Sequence, residues 1–188
     1  MESYRVSLFL ILLGIAVSLV LSSPAATATA TETKLVREVC QNTSLMKYKD
    51  CVEALNDFRT GNITDIRALA FLSLDLARAN SSEAVGFVRG LSVYAPSELG
   101  SVLKSCYDNL LYSHMNFHVA VGDLMVDPMT ANYDTFVAMD GVNYCRNVMK
   151  EAKVSIPEVE KRCDNVEVFV HLCYTTTGMV GETSPEAN

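Results

Sequence analysis

The sequence predicts an all-α fold: an up-and-down four-helix bundle with an N-terminal helical hairpin, stapled by disulfides. Three observations carry this. Four long segments repeat apolar residues at the 3.6-residue period of a helix. Short breaks at Thr60-Gly61-Asn62, Pro96 and Asp127-Pro128 separate them, which suits antiparallel neighbours with tight connections. No stretch alternates apolar and polar residues for long enough to form a strand.

Residues 1–30 read as a signal peptide. Arg5 supplies the positive start, Val6 to Leu21 is almost wholly apolar, and Ser22 to Ala30 offers small-residue cleavage sites. The apolar run is shorter than the roughly 20 residues a spanning helix needs, so cleavage is expected and no membrane span remains afterwards. Residues 31–180 then form one helical domain, and residues 181–188 a polar tail with neither a retention nor a lipid-attachment signal.

Within the domain, Thr33 to Cys40 and Met46 to Phe58 are short helical segments joined by a turn at Gln41 to Lys47. The first long segment begins at Thr64, an expected N-cap, and places Ile66, Leu69, Ala70, Ser73, Ala77, Ala84, Phe87, Val88 and Leu91 on one face. The second runs from Ser97 to about Met125, with Leu99, Val102, Leu103, Cys106, Leu110, Phe117, Val121 and Leu124 as its stripe. Asp127 to Asn132 reads as a loop between helices, and Asp127, Pro128, Met129 and Thr130 are the candidate partner-contacting residues. The third segment, Tyr133 to Ala152, has Tyr133, Phe136, Val137, Tyr144 and Val148 as its spaced apolar positions. Gly141 interrupts its middle, at a propensity cost of about 1 kcal/mol against alanine. The fourth opens on Ser155-Ile156-Pro157-Glu158, a capping box with proline in the first turn, and carries Val159, Val166, Phe169, Val170 and Cys173. Thr175-Thr176-Thr177-Gly178 weakens its end, because β-branched side chains lose rotamer freedom in a helix.

Six cysteines in an exported chain are read as cross-links before metal ligands or redox groups. A bridge between Cys40 and Cys51 would fix the hairpin and contribute about 3 kcal/mol; one between Cys106 and Cys145 would tie two bundle helices and contribute about 4 kcal/mol. Cys163 and Cys173 on one continuous helix stand about 15 Å apart, too far to pair. They are expected as buried free thiols; the alternatives are a broken helix that lets them bond, or a covalent contact with another chain.

The formal net charge is −7, which argues against nucleic acid and anionic membranes as partners. His114 and His118 share a helix face, but Met115 stands where the glutamate of a zinc-protease helix would be, so no metal site is expected. His171 reads as a satisfied histidine beside apolar positions rather than a base. No nucleophile elbow, phosphate loop or dinucleotide fingerprint is present, and no cofactor or catalytic residue is assigned. Asn42, Asn62 and Asn80 begin N-x-[ST] triplets and are candidate glycan sites on exposed turns or helix ends, with Asn62 expected to be the most exposed.

The opening Leu35-Val36-Arg37-Glu38-Val39-Cys40-Gln41-Asn42-Thr43, followed by Cys51-Val52-Glu53-Ala54-Leu55, resembles the start of the plant invertase and pectin methylesterase inhibitor family. Leu103-Lys104-Ser105-Cys106-Tyr107-Asp108-Asn109-Leu110-Leu111-Tyr112 resembles that family's third-cysteine helix, Asn62 to Leu91 resembles its first bundle helix, and Cys145 stands where its fourth cysteine falls. The resemblance covers about Lys34 to Val180. It implies the disulfides Cys40–Cys51 and Cys106–Cys145, and a secreted, non-catalytic protein that caps a carbohydrate-active enzyme of the cell wall or vacuole. Pectin methylesterase inhibitors of this family cover the substrate cleft with a helix-bundle face; invertase inhibitors insert an inter-helix loop carrying Pro-Lys-Phe. Here that place reads Asp127-Pro128-Met129-Thr130, keeping only the proline. The segment Val137 to Tyr144 departs from the Ser- and Ala-rich helix of pectin methylesterase inhibitors.

The expectation is therefore an apoplastic inhibitor, with pectin methylesterase as the first partner and invertase, in wall or vacuole, as the alternative. A secreted structural or signalling bundle with no enzyme target is the second class of function. Catalysis is the third, and the sequence offers no site for it.

Overall fold

A computed structural model describes residues 33–56 and 63–183. The leader, the Thr60-Gly61-Asn62 break and residues 184–188 of the polar tail lie outside the described residues. Among the described residues every regular element is a helix: α1 (Lys34–Asn42), α2 (Tyr48–Asn56), α3 (Ile66–Tyr94), α4 (Ser97–Val126), α5 (Pro128–Glu151) and α6 (Pro157–Thr183). Helices α3 to α6 form the up-and-down bundle. Each packs on two others, α3 between α4 and α6, and α5 between the same two, so the four close a ring around one core. The hairpin α1–α2 lies against α6.

Local chemistry explains the helix ends. Thr33 caps α1 by accepting from the Val36 amide. For α3 the cap is Asp65 rather than Thr64; its carboxylate accepts from the Ala68 amide at 2.9 Å. Pro96, with no amide to satisfy, stands at the start of α4. Helix α5 begins at Pro128, five residues earlier than the sequence reading placed it. The supposed loop is its first turn, because Asp127 caps it and Pro128 presets the first helical φ. Helix α5 ends in a Schellman turn: the Lys153 amide bonds the Lys150 carbonyl, the Val154 amide bonds the Met149 carbonyl, and Lys153 takes φ 55° where glycine is usual. Ser155 does not form the expected box with Glu158; its hydroxyl donates to Glu160 Oε1 at 3.0 Å. The threonines of α6 do not fray it. Thr175, Thr176 and Thr177 return their hydroxyls to the carbonyls of His171, Leu172 and Cys173, and the helix continues to Thr183, past Val180.

The core is built from Leu69, Leu74 and Val88 of α3, Leu110, Phe117 and Leu124 of α4, Val142 of α5, and Val166, Val170 and Leu172 of α6. The hairpin adds Val36, Val39 and Leu55, all fully buried.

Candidate partner-binding surface

Two disulfides are present. Cys40 and Cys51 join α1 to α2 with Cα atoms 5.6 Å apart. Cys106 and Cys145 join α4 to α5 with Cα atoms only 4.3 Å apart. Cys163 and Cys173 are buried free thiols on an unbroken α6.

The short Cys106–Cys145 span belongs to a close seam between α4 and α5. The Ser113 hydroxyl donates to the Ala138 carbonyl at 2.6 Å, a hydrogen bond from one helix to the backbone of the other. At Gly141 a Cβ would collide with the Asn109 carbonyl oxygen and Ser113 Oγ. Glycine in mid-helix is therefore what lets the backbones meet. The buried face of α5 is correspondingly small: Ala131, Thr135, Ala138, Gly141, Val142 and Cys145, with Met149 at the end.

With that face turned inward, the large side chains of α5 point out. Tyr133, Phe136 and Tyr144, three of the spaced apolar positions of this segment, are 66%, 55% and 57% exposed rather than part of a buried stripe. Helix α4 adds Tyr112, Met115, Val119 and Val126 to the exposed set. Phe136 is held by Tyr174 of α6, ring centroids 5.7 Å apart. The signal for this orientation was in the sequence. Once Cys145 is bonded to Cys106 it must face α4, and Ala138, Gly141 and Val142 face in with it.

Asp127, Pro128, Met129 and Thr130 stand at the corner that leads into this surface. Asp127, Met129 and Thr130 are exposed and Pro128 half-buried. Asp127 accepts from the amides of Met129 and Thr130 and from the Thr130 hydroxyl at 2.7 Å, which holds its carboxyl below the usual range, the hydroxyl being the main cause. Met129, Tyr133 and Phe136 follow at i, i+4 and i+7, so the corner and the aromatics lie on one helix face.

Charge is organised where the end of α5 meets α6. Arg146 reaches Asp164 and Glu167 of α6, each at 2.6 Å, and Glu167 faces His171 Nε2 at 3.5 Å. His171 is not the satisfied histidine expected from the sequence: its Nδ1 is buried without a partner. Next to the seam, Asp134 faces Asp123; burial first, and then the Asp123 carboxyl, push it up to about 6. As carboxylates neither can donate to the other, and one shared proton would make that hydrogen bond.

The two histidines of α4 have different surroundings. His114 Nδ1 sits 3.0 Å from Ser81 Oγ, but Ser81 is fully buried, and burial lowers the His114 pKa. His118 is exposed. Among the described residues no group of three His, Cys, Asp or Glu side chains could hold a metal, and no helix is long and apolar enough to cross a membrane. Of the sequon asparagines, Asn42 ends α1 and is exposed, while Asn62 lies outside the described residues. Asn80 is neither on a turn nor at a helix end. It lies inside α3, half-buried in a groove with Asp50, Glu53, Asn165 and Phe169.

No family model matches the chain, and no curated protein matches it by sequence. Solved structures do. A mutant form of a pectin methylesterase inhibitor from Arabidopsis superposes with a TM-score of 0.68 at 18% identity, over 78% of this chain and 97% of that one. A pectin methylesterase inhibitor from Arabidopsis thaliana superposes with a TM-score of 0.59, also at 18% identity, over 79% of this chain and 97% of its own. The fold that the sequence resemblance implied is the fold observed: this chain shares the architecture of pectin methylesterase inhibitors.

Proposed function

We propose that the chain is a secreted, non-enzymatic inhibitor that covers a cell-wall carbohydrate-active enzyme, with pectin methylesterase as its target. The observation that carries the reading is the exposed aromatic face of α5, presented by a cross-linked bundle with the fold of known pectin methylesterase inhibitors. Tyrosine and phenylalanine supply contact area at low entropic cost, and a rigid backbone loses little freedom on association. Residues 1–30 act as the leader and residues 31–183, to the end of α6, as the inhibitory domain. The product acts in the apoplast, with glycans on Asn42 and Asn62.

Invertase is the less favoured target. Insertion into an active site needs a projecting loop, and here Asp127 alone separates α4 from α5. The corner Asp127 to Thr130 instead extends the aromatic face at one end.

The test is titration of pectin methylesterase and invertase with the purified protein between about pH 4.5 and 7. Inhibition of the first, lost at least tenfold on replacing Tyr133, Phe136 and Tyr144 by alanine, is expected. The same triple variant should unfold within about 0.5 kcal/mol of the parent per site, since exposed positions contribute little to stability. Full activity of both enzymes at saturating protein rejects the reading, and undiminished inhibition by the triple variant rejects the face.

A further inference from the structure

Three sulfurs meet where α6 packs on the α4–α5 pair. Cys106 and Cys145 are bonded, and the free thiol of Cys163 lies 3.7 Å from the Cys145 sulfur. All three residues are fully buried. The other free thiol, Cys173, is about 15 Å further along the axis of α6 and takes no part. A Cys145–Cys163 bond requires the 3.7 Å gap to close to the roughly 2.05 Å of a disulfide, a movement within the reach of side-chain torsions.

We propose that Cys163 exchanges with the Cys106–Cys145 disulfide, so that the protein has a second isomer in which Cys145 is bonded to Cys163 and Cys106 is free. Cys163 gives its proton to hydroxide. The thiolate attacks Cys145 Sγ, the Cys145–Cys163 bond forms as the Cys106–Cys145 bond breaks, and Cys106 leaves with the electron pair and takes a proton from water. One disulfide and one thiol enter and the same leave, so no oxidant or reductant is consumed. The exchange moves the staple from the α4–α5 seam to the α5–α6 contact, and it needs no target enzyme.

The surroundings set its pH range. Burial pushes the Cys163 thiol up to about 11; Arg146 on α5 opposes this, and Asp164, Glu160 and Glu167 on α6 add to it. The attacking thiolate is therefore scarce in acid and increases about tenfold per pH unit up to that value. An acidic medium holds the Cys106–Cys145 isomer, and an alkaline one opens the exchange. The rearranged link closes a shorter stretch of chain, so it restrains the unfolded state less than the original does.

Non-reducing peptide mapping tests this. The native protein is held without reductant near pH 5 and at steps from pH 7 to 10, quenched in acid, labelled with a maleimide in acidic denaturant and digested with pepsin. Label only on Cys163 and Cys173 is expected near pH 5. At higher pH, label on Cys106 and a Cys145–Cys163 peptide should accumulate, with an initial rate rising about tenfold per pH unit. An intact Cys40–Cys51 peptide reports that the fold persisted. The variant Cys163→Ser should leave Cys106 unlabelled throughout. The proposal is overturned by Cys106 staying unlabelled at every pH, by Cys173 or the hairpin sulfurs entering new links as fast as Cys163, or by equal labelling of Cys106 in the serine variant.

Discussion

Helices α5 and α6 are neighbours in one bundle and fill it in opposite ways. Helix α6 sends Val159, Val166, Phe169 and Val170 inward. Helix α5 sends Ala131, Thr135, Ala138 and Gly141 inward and leaves Tyr133, Phe136 and Tyr144 in solvent. The difference lies in separation. The α4–α5 backbones approach until a Cβ at position 141 has no room, so the seam admits only small residues and the bulky ones are expelled. Burial of apolar area holds α6; close backbone contact and a sulfur bridge hold α5. The expelled aromatics are then a surface whose apolar area folding has not used.

The comparison can be broken at several points. Replacing both Cys106 and Cys145 by serine should have the largest effect. It releases a restraint on about 40 residues and should lower unfolding stability by about 4 kcal/mol in urea titration, against about 3 kcal/mol for the Cys40 and Cys51 pair. Gly141→Ala comes next, at about 2 to 3 kcal/mol lost. Overpacking against the Asn109 carbonyl outweighs alanine's helix preference. The control is Gly122→Ala on the outer side of α4, where a Cβ meets nothing and a gain of about 0.5 to 1 kcal/mol is expected. Equal effects at the two glycines would refute the close seam.

Asp134 makes the edge of that seam pH-sensitive. Its carboxyl is raised from 3.8 to about 6 in the folded protein, so the fold binds a proton that the unfolded chain releases. The stabilisation is complete below pH 3.8 and is lost as pH rises through 6. Asp134→Asn should remove this slope, seen as a melting temperature that no longer gains on acidification from pH 6.5 to 4.5 beyond what the other carboxylates contribute. The smallest effect is expected at the end of α5. Lys153→Gly should raise stability by about 0.5 kcal/mol, because glycine takes the left-handed Schellman position without steric cost.

The architecture was legible because helical period and punctuation agree over most of the chain. Leu69, Val102, Leu110, Val166 and Val170 are as buried as their spacing requires. The reading failed where a rule about size stood in for a rule about distance. Periodicity picks out large apolar residues such as Tyr133, Phe136 and Tyr144 as the spaced positions of a helix; a small-residue stripe centred on Gly141 carries no hydrophobic signal of its own. It failed again at Asp127 to Asn132, where proline was taken as a break although asparagine or aspartate before proline also describes a helix start. Of the candidate surface, only the corner Asp127 to Thr130 was visible in advance. The aromatic half needed the disulfide to be used as an orientation marker. The contact of Cys163 with Cys145 could not be read at all, since it depends on how α5 and α6 are rotated against each other.

Asp127 is both the last residue of one long helix and the cap of the next, with its amide on the Asp123 carbonyl and its own carbonyl taking the Ala131 amide. A joint of one residue fixes phase as well as direction. Inserting a single amino acid there would turn everything downstream by about 100° about its axis. Half the molecule is thereby indexed to the other half like meshed gears, and length variation among proteins built this way should collect at the other turns.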